Sequence, residues 1–125
     1  MRLPLVAASG LVALAAGCGP QADPPVDPAD AAVHLRAVFD AWKSGEPFES
    51  LGQRNPPIVF NEPLWRDGAR LLDYEIGDVE LHGRQGKCQV KIKVQLKDGK
   101  TSDRRIGYQI DTLPSVVIVR EGLGP

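Results

Sequence analysis

Lys87-Cys88-Gln89-Val90-Lys91-Ile92-Lys93-Val94-Gln95-Leu96-Lys97, followed by Asp98-Gly99, is the stretch whose reading decides the fold. Cys88, Val90, Ile92, Val94 and Leu96 fall on one side, and Lys87, Gln89, Lys91, Lys93, Gln95 and Lys97 on the other. Successive β-strand side chains leave on opposite faces, so this period of two marks a strand with one face on a core and one in water. Asp-Gly tolerates the positive φ of a tight hairpin, which brings the next strand back antiparallel. In that strand Ser102, Arg104, Ile106, Tyr108 and Ile110 share a face. Thr112-Leu113-Pro114 turns the chain again, and residues 116–120 form a last strand.

Working back from this hairpin, Leu72, Tyr74 and Ile76 alternate with Asp73 and Glu75, Gly77-Asp78 marks a bulge, and Val79-Glu80-Leu81 resumes the strand before a turn at Arg84-Gln85-Gly86. Residues 46–68 read as irregular, punctuated by Pro47, Pro56, Pro57 and Pro63, with only Ile58-Val59-Phe60 able to form a short edge strand. Ahead of them Asp27 is a cap, Pro28 suits a first helical position, and Asp30 places a negative charge in the first turn. Ala31, Leu35, Val38, Phe39 and Trp42 then recur at helical spacing, with Arg36, Asp40 and Lys43 opposite and Gly45 as the stop. The expected fold class is α+β: one N-terminal amphipathic helix packed on a four-stranded antiparallel meander sheet. This order resembles the cystatin-like and NTF2-like folds, in which a curved sheet wraps a helix. Trp65-x2-Gly68-x2-Leu71-Leu72-x-Tyr74-Glu75 also looks like a pattern of small bacterial secreted proteins. Neither resemblance implies catalytic residues.

The first residues read as an address. Met1-Arg2 is a minimal positive start, residues 3–16 are free of charge, and Leu14-Ala15-Ala16-Gly17-Cys18 closes the run. The apolar run is too short for a spanning helix, which needs about 20 residues. It resembles the signal peptide and lipobox of bacterial lipoproteins, with Ala15 where Leu is commoner. That resemblance implies cleavage after residue 17 and acylation of the Cys18 thiol. The implied localisation is the cell envelope, membrane-anchored by lipid with the domain extracytoplasmic; Gly19 rather than Asp favours the outer membrane. Residues 18–28 hold Pro20, Pro24, Pro25 and Pro28 and read as an extended spacer, reaching roughly 25–30 Å at ~3.1 Å per residue. Residues 29–125 are then a single α+β domain. The expected partners are the bilayer, through acylated Cys18, and an envelope protein or an anionic partner.

The chain has 125 residues with 42% hydrophobic and 25% charged content, as a globular domain does. A net charge of −1 exerts no global pull on nucleic acid or an anionic surface. Its distribution is uneven: residues 87–105 carry seven basic and two acidic side chains, and residues 19–86 six basic and twelve acidic. The Lys87/Lys91/Lys93/Lys97 row has two readings. Either lysines keep an exposed sheet face soluble and discourage edge pairing, or Lys91 and Lys93 belong to an anion-binding surface. No aromatic residues interleave with them, against single-stranded nucleic acid.

No catalytic residue, cofactor or metal is expected. With Cys18 acylated, Cys88 is the remaining cysteine, and its strand phase puts it in the core. His34 and His82, the two histidines, lie far apart in sequence and form no ligand motif. Asp73, Glu75, Asp78 and Glu80 offer paired carboxylates for acid–base work or Ca²⁺, against which the alternation makes Asp73 and Glu75 the wet face of a strand and favours solvated charge. Trp42, Trp65 and Phe60 read as core. If instead Trp65 or Tyr74 lines a cleft between helix and sheet, the domain is an NTF2-like small-ligand-binding protein or enzyme.

Overall fold

The computed structural model describes residues 24–122. Residues 1–17, Cys18 and the first part of the proposed spacer lie outside the described residues.

Helix α1 (Pro28–Lys43) forms where the caps predict it. Asp27 stays extended, at φ −82° and ψ 118°, and its Oδ1 accepts the Ala29 N–H at 3.0 Å. Pro28 follows at the first helical position, where its missing N–H costs nothing. At the other end Ser44 donates its N–H to Asp40 at 2.9 Å, and Gly45 takes φ +86°, a conformation strained for other residues. The helix buries Ala31, Leu35, Val38, Phe39, Ala41 and Trp42. Fully burying a Leu, Val or Phe side chain is worth about 1.5–3 kcal/mol, so this face rather than helix propensity holds the element down.

A 3-10 helix (Phe48–Gln53) leads to strand β1 (Ile58–Asn61), short helix α2 (Pro63–Arg66), and strands β2 (Arg70–Ile76), β3 (Glu80–His82), β4 (Gln85–Gln95), β5 (Thr101–Asp111) and β6 (Val116–Arg120). They form one curled, mixed six-stranded sheet in the order β1-β6-β5-β4-β2, with β3 also paired to β4. The strand β4 that opened the sequence reading buries Cys88, Val90, Ile92 and Val94 and exposes Gln89, Lys91 and Lys93.

The α+β class therefore holds, while the four-stranded antiparallel meander is corrected in three ways. Residues 58–61 join the sheet at its edge, and β1 pairs parallel with β6, Ile58 opposite Val116 and Asn61 opposite Val119. Residues 71–81 are not one strand. β2 covers the Val90–Gln95 part of β4 and β3 its first residues, because the chain breaks away at Gly77. Gly77 sits so close to β4 that a Cβ there would lie 2.9 Å from the Gln89 carbonyl oxygen. A further irregularity between Leu71 and Asp73 puts Leu71 opposite Val94 and Tyr74 opposite Ile92. Finally, Gln85 and Gly86 belong to β4, so the β3–β4 turn is made by Gly83 and Arg84.

The core fills the concave side of the sheet. Phe39 of α1 is its hub, 5.6 Å from Phe60, 5.5 Å from Tyr108 and 5.3 Å from Tyr74 by ring centroids. Trp42 stacks on Trp65 at 5.7 Å and 9°, and its indole N–H donates to the Ala69 carbonyl at 2.9 Å. Val26 is also in the core, and its N–H donates to Arg84 O at 3.0 Å. The packed fold thus begins inside the stretch expected to be spacer.

Candidate functional site

Three places collect polar side chains. The first is the open face of the sheet, opposite α1. Tyr74, Ile92 and Arg104 lie in one row across β2, β4 and β5. Their neighbours in each strand alternate away from the core and wall a groove of about 380 Å³: Asp73 and Glu75, Lys91 and Lys93, Asp103 and Arg105. Register then decides its electrostatics. Lys93 faces Asp73 on one side and Asp103 on the other, while Lys91 lies between Glu75 and Arg105. Lys43 from the helix adds a 3.5 Å contact to Asp73, and Lys87 one of 3.3 Å to Glu121. The lysine row of β4 is therefore interleaved with carboxylates from its neighbours, a pattern that supports sheet pairing and leaves little net field.

The second place is the interior. Glu62 follows β1 and is fully buried. Its Oε1 accepts the Tyr108 hydroxyl, and its Oε2 accepts the Leu64 N–H at 2.8 Å and Arg120 Nη1 at 3.2 Å. The carboxylate thus caps α2 and neutralises the β6 arginine at the same time. Burial and the Glu62 charge push the Tyr108 phenol well above its ordinary range, against a smaller opposing effect of Arg120. Glu62, Tyr108 and Arg120 are partnered within this network, which ties β1, β5 and β6 together.

The third is a hollow of about 370 Å³ beside β3, where Asp78, Glu80, His82 and Glu121 surround Lys87. Among the described residues no group of three His, Cys, Asp or Glu side chains is placed to hold a metal ion. Cys88 underlies this hollow but is buried, with its thiol on the Gly77 carbonyl at 3.3 Å. Burial raises its pKa above the ordinary thiol value, so the reactive thiolate is disfavoured.

The sequence-derived candidates separate accordingly. Lys91 and Lys93 come together on the open face. Trp65 is buried against Trp42, with Phe48 edge-on at 5.3 Å. Tyr74 stacks on Phe39 and donates its hydroxyl to Asp40 at 2.6 Å. Both therefore pack against the core, while Trp65 also borders a hollow of about 330 Å³ beside the C-terminal end of α1 and Tyr74 the groove on the open face. His34 pairs with Asp30 on the helix at 3.7 Å, and His82 is exposed on β3. Cys18 lies outside the described residues. The Glu62–Tyr108–Arg120 network was not anticipated as a unit. A local signal existed in Glu62-Pro63, an acceptor at a cap position before a proline suited to open a helix.

Compared with known protein families, with curated proteins and with solved structures, the chain gives no match.

Proposed function

We propose that this chain is a lipid-anchored protein of the bacterial cell envelope, acting as a non-catalytic binding or structural module. The observation that carries the reading is the uncharged run at residues 3–16 ending in Leu14-Ala15-Ala16-Gly17-Cys18, followed by three prolines before the helix and a fourth, Pro28, at its first position. Acylation of Cys18 with two or more chains, at about 0.8 kcal/mol per buried CH₂, holds a protein on a bilayer stably. The interior supports the non-catalytic part. Phe39, Phe60, Trp42, Trp65 and Tyr108 occupy the space where a ligand-binding relative of the NTF2-like folds would need a cavity. The interleaved charges of the open face favour a module with a balanced surface over a dedicated anion receptor.

Radiolabelled palmitate incorporation into wild type and Cys18→Ser tests the anchor. Label is expected in the first only, with the mature N-terminus starting at Cys18. An unacylated product, or one starting elsewhere, would overturn it. Turnover found in a broad hydrolase and transferase screen would overturn the non-catalytic reading.

A further inference from the structure

The N-terminal segment enters the fold at one end of the sheet, and that end carries most of the exposed apolar side chains. Val26 is tied to Arg84 and lies over Gly86, its Cγ1 3.4 Å from where a Cβ would sit. Leu81 pairs with Gly86 and Gly86 with Ile110, so the β3–β4 and β5–β6 turns lie side by side. Gln85 Nε2 joins them by donating to Asp111 Oδ2 at 3.1 Å. Among the described residues the exposed large hydrophobics are Val33, Val59, Leu81 and Leu113. Leu113, 51% exposed, is in the β5–β6 turn, and Leu81, 45% exposed, is just before the β3–β4 turn. Val33 is near the start of α1, which begins two residues after Val26; Val59, on the edge strand β1, is opposite Val117 and through it Asp111, so it lies toward the same end at the far edge of the sheet. The opposite end, at the β4–β5 turn, presents Lys97, Asp98 and Lys100 instead.

We propose that the end bearing Leu81 and Leu113 is a membrane-contact surface that rests on the bilayer holding the acyl chains, with the β4–β5 turn directed away from it. This rests on the acylation of Cys18. Residues 19–25 alone separate that cysteine from Val26, so even fully extended, at about 3.6 Å per residue, the tether cannot lift this end more than roughly 29 Å. A short tether gives the surface an effective concentration in the range of mM, so two leucines too few to bind a membrane from solution are enough. The contact is apolar rather than ionic: the elements that meet at this end carry Asp27, Asp30, Glu80 and Asp111 alongside Arg84 and Lys87, and Lys87 lies 3.3 Å from Glu121, which disfavours attraction by anionic headgroups.

The test uses the mature acylated protein in phosphatidylcholine vesicles, where the Cys18 thiol is consumed by its lipid. In a Cys88→Ala background, Leu113→Cys, Leu81→Cys and Asp98→Cys each receive one environment-sensitive fluorophore. A lipid with a shallow nitroxide should quench the labels at 113 and 81 several-fold more than the label at 98, and adding phosphatidylglycerol should leave that ratio unchanged. Equal quenching at all three sites on vesicle-bound protein overturns the proposal. An apolar shift of the labels at 113 and 81 without nitroxide quenching, which disappears when the protein is diluted per vesicle, also overturns it, assigning that end to self-association. Intact mass separates the two failures, because an unmodified Cys18 defeats the anchor alone. Coupling that thiol to a maleimide lipid and reading Leu113→Trp by brominated-lipid quenching then tests the surface independently.

Discussion

Glu62 is the side chain on which the interior turns, because an ionised carboxylate removed from water costs several kcal/mol unless its lone pairs are satisfied. Here Tyr108, Arg120 and the Leu64 N–H satisfy them. Arg120→Met removes the countercharge, and breaking such a pair costs about 3–5 kcal/mol; Arg120 is partly solvated, which places the loss at the lower end. Urea denaturation should show it. Adding Glu62→Gln should recover a substantial part, since the amide is neutral and its oxygen can still accept from Tyr108 or cap α2. A double variant no more stable than Arg120→Met would show that the pair is not the energetic unit. Tyr74 and Tyr108, the chain's two tyrosines, give a second test at this scale. Burial, then the hydrogen bond to Asp40, pushes Tyr74 up to about 12, and Tyr108 is raised by burial and Glu62. A phenol normally ionises near about 10, so both folded values lie above the unfolded one. Their contribution to stability is complete below the unfolded value and is lost as pH rises through the folded values. Alkaline titration of the native protein should therefore show no phenolate absorbance near pH 10, while the urea-unfolded chain titrates there. Phenolate appearing near pH 10 in the folded protein would contradict the packing described for both rings.

At the scale of elements, the division of β2 from β3 depends on close approach rather than on a special backbone conformation. Gly77 donates its N–H to Gln89 O at 2.9 Å, and a Cβ at Gly77 would lie 2.9 Å from that same backbone oxygen, which cannot swing aside. At Gly107 the atoms in the way are Glu121 Oε1 and Gln89 Nε2, ends of flexible side chains. Gly77→Ala should cost about 1–3 kcal/mol, as overpacking does, and Gly107→Ala distinctly less; thermal melts that rank them the other way would refute this account. The contrast also explains what was legible in the sequence. In β4 every second residue is apolar, α1 has a cap, a proline and a five-member apolar face, and each followed from local pattern. Ile58–Phe60 was readable as a short edge strand, but its parallel pairing was not, because its partner β6 lies far along the chain. Leu71 and Leu72 hid the register change in the same way: two adjacent leucines fit either phase of a strand, and only the Leu71–Val94 pairing chooses. For the site, the lysine side of β4 was readable, but its carboxylate neighbours on β2 and β5 became specific only through register. Glu62 was opaque for a related reason, since its donors come from residues 108 and 120.

Over the whole molecule, pairing the strands sets part of the basic stretch, Lys91, Lys93 and Arg105, among the carboxylates of Asp73, Glu75 and Asp103 on one face. That layout makes unequal demands on the two central lysines. Lys93 has Asp73 on one side and Asp103 on the other, whereas Lys91 has Glu75 on one side and Arg105 on the other. Like charges directly opposite in a sheet are unfavourable by about 0.2–1 kcal/mol each. Lys93→Glu loses two attractions and gains two repulsions, so it should lower stability by about 1 kcal/mol or somewhat more on that scale. Lys91→Glu exchanges one attraction for a repulsion beside Glu75 but relieves a repulsion beside Arg105, so its net effect should be small. Because the groups are exposed, raising salt to about 1 M, where the Debye length is about 3 Å, should erase most of the difference. Chemical denaturation by urea, which adds no charge, measures both variants at low and high salt. An equal loss at the two positions, or one indifferent to salt, would mean that cross-strand pairing does not balance this face. The lysines would then be free to meet an acidic partner, and the anion-binding surface would regain its claim.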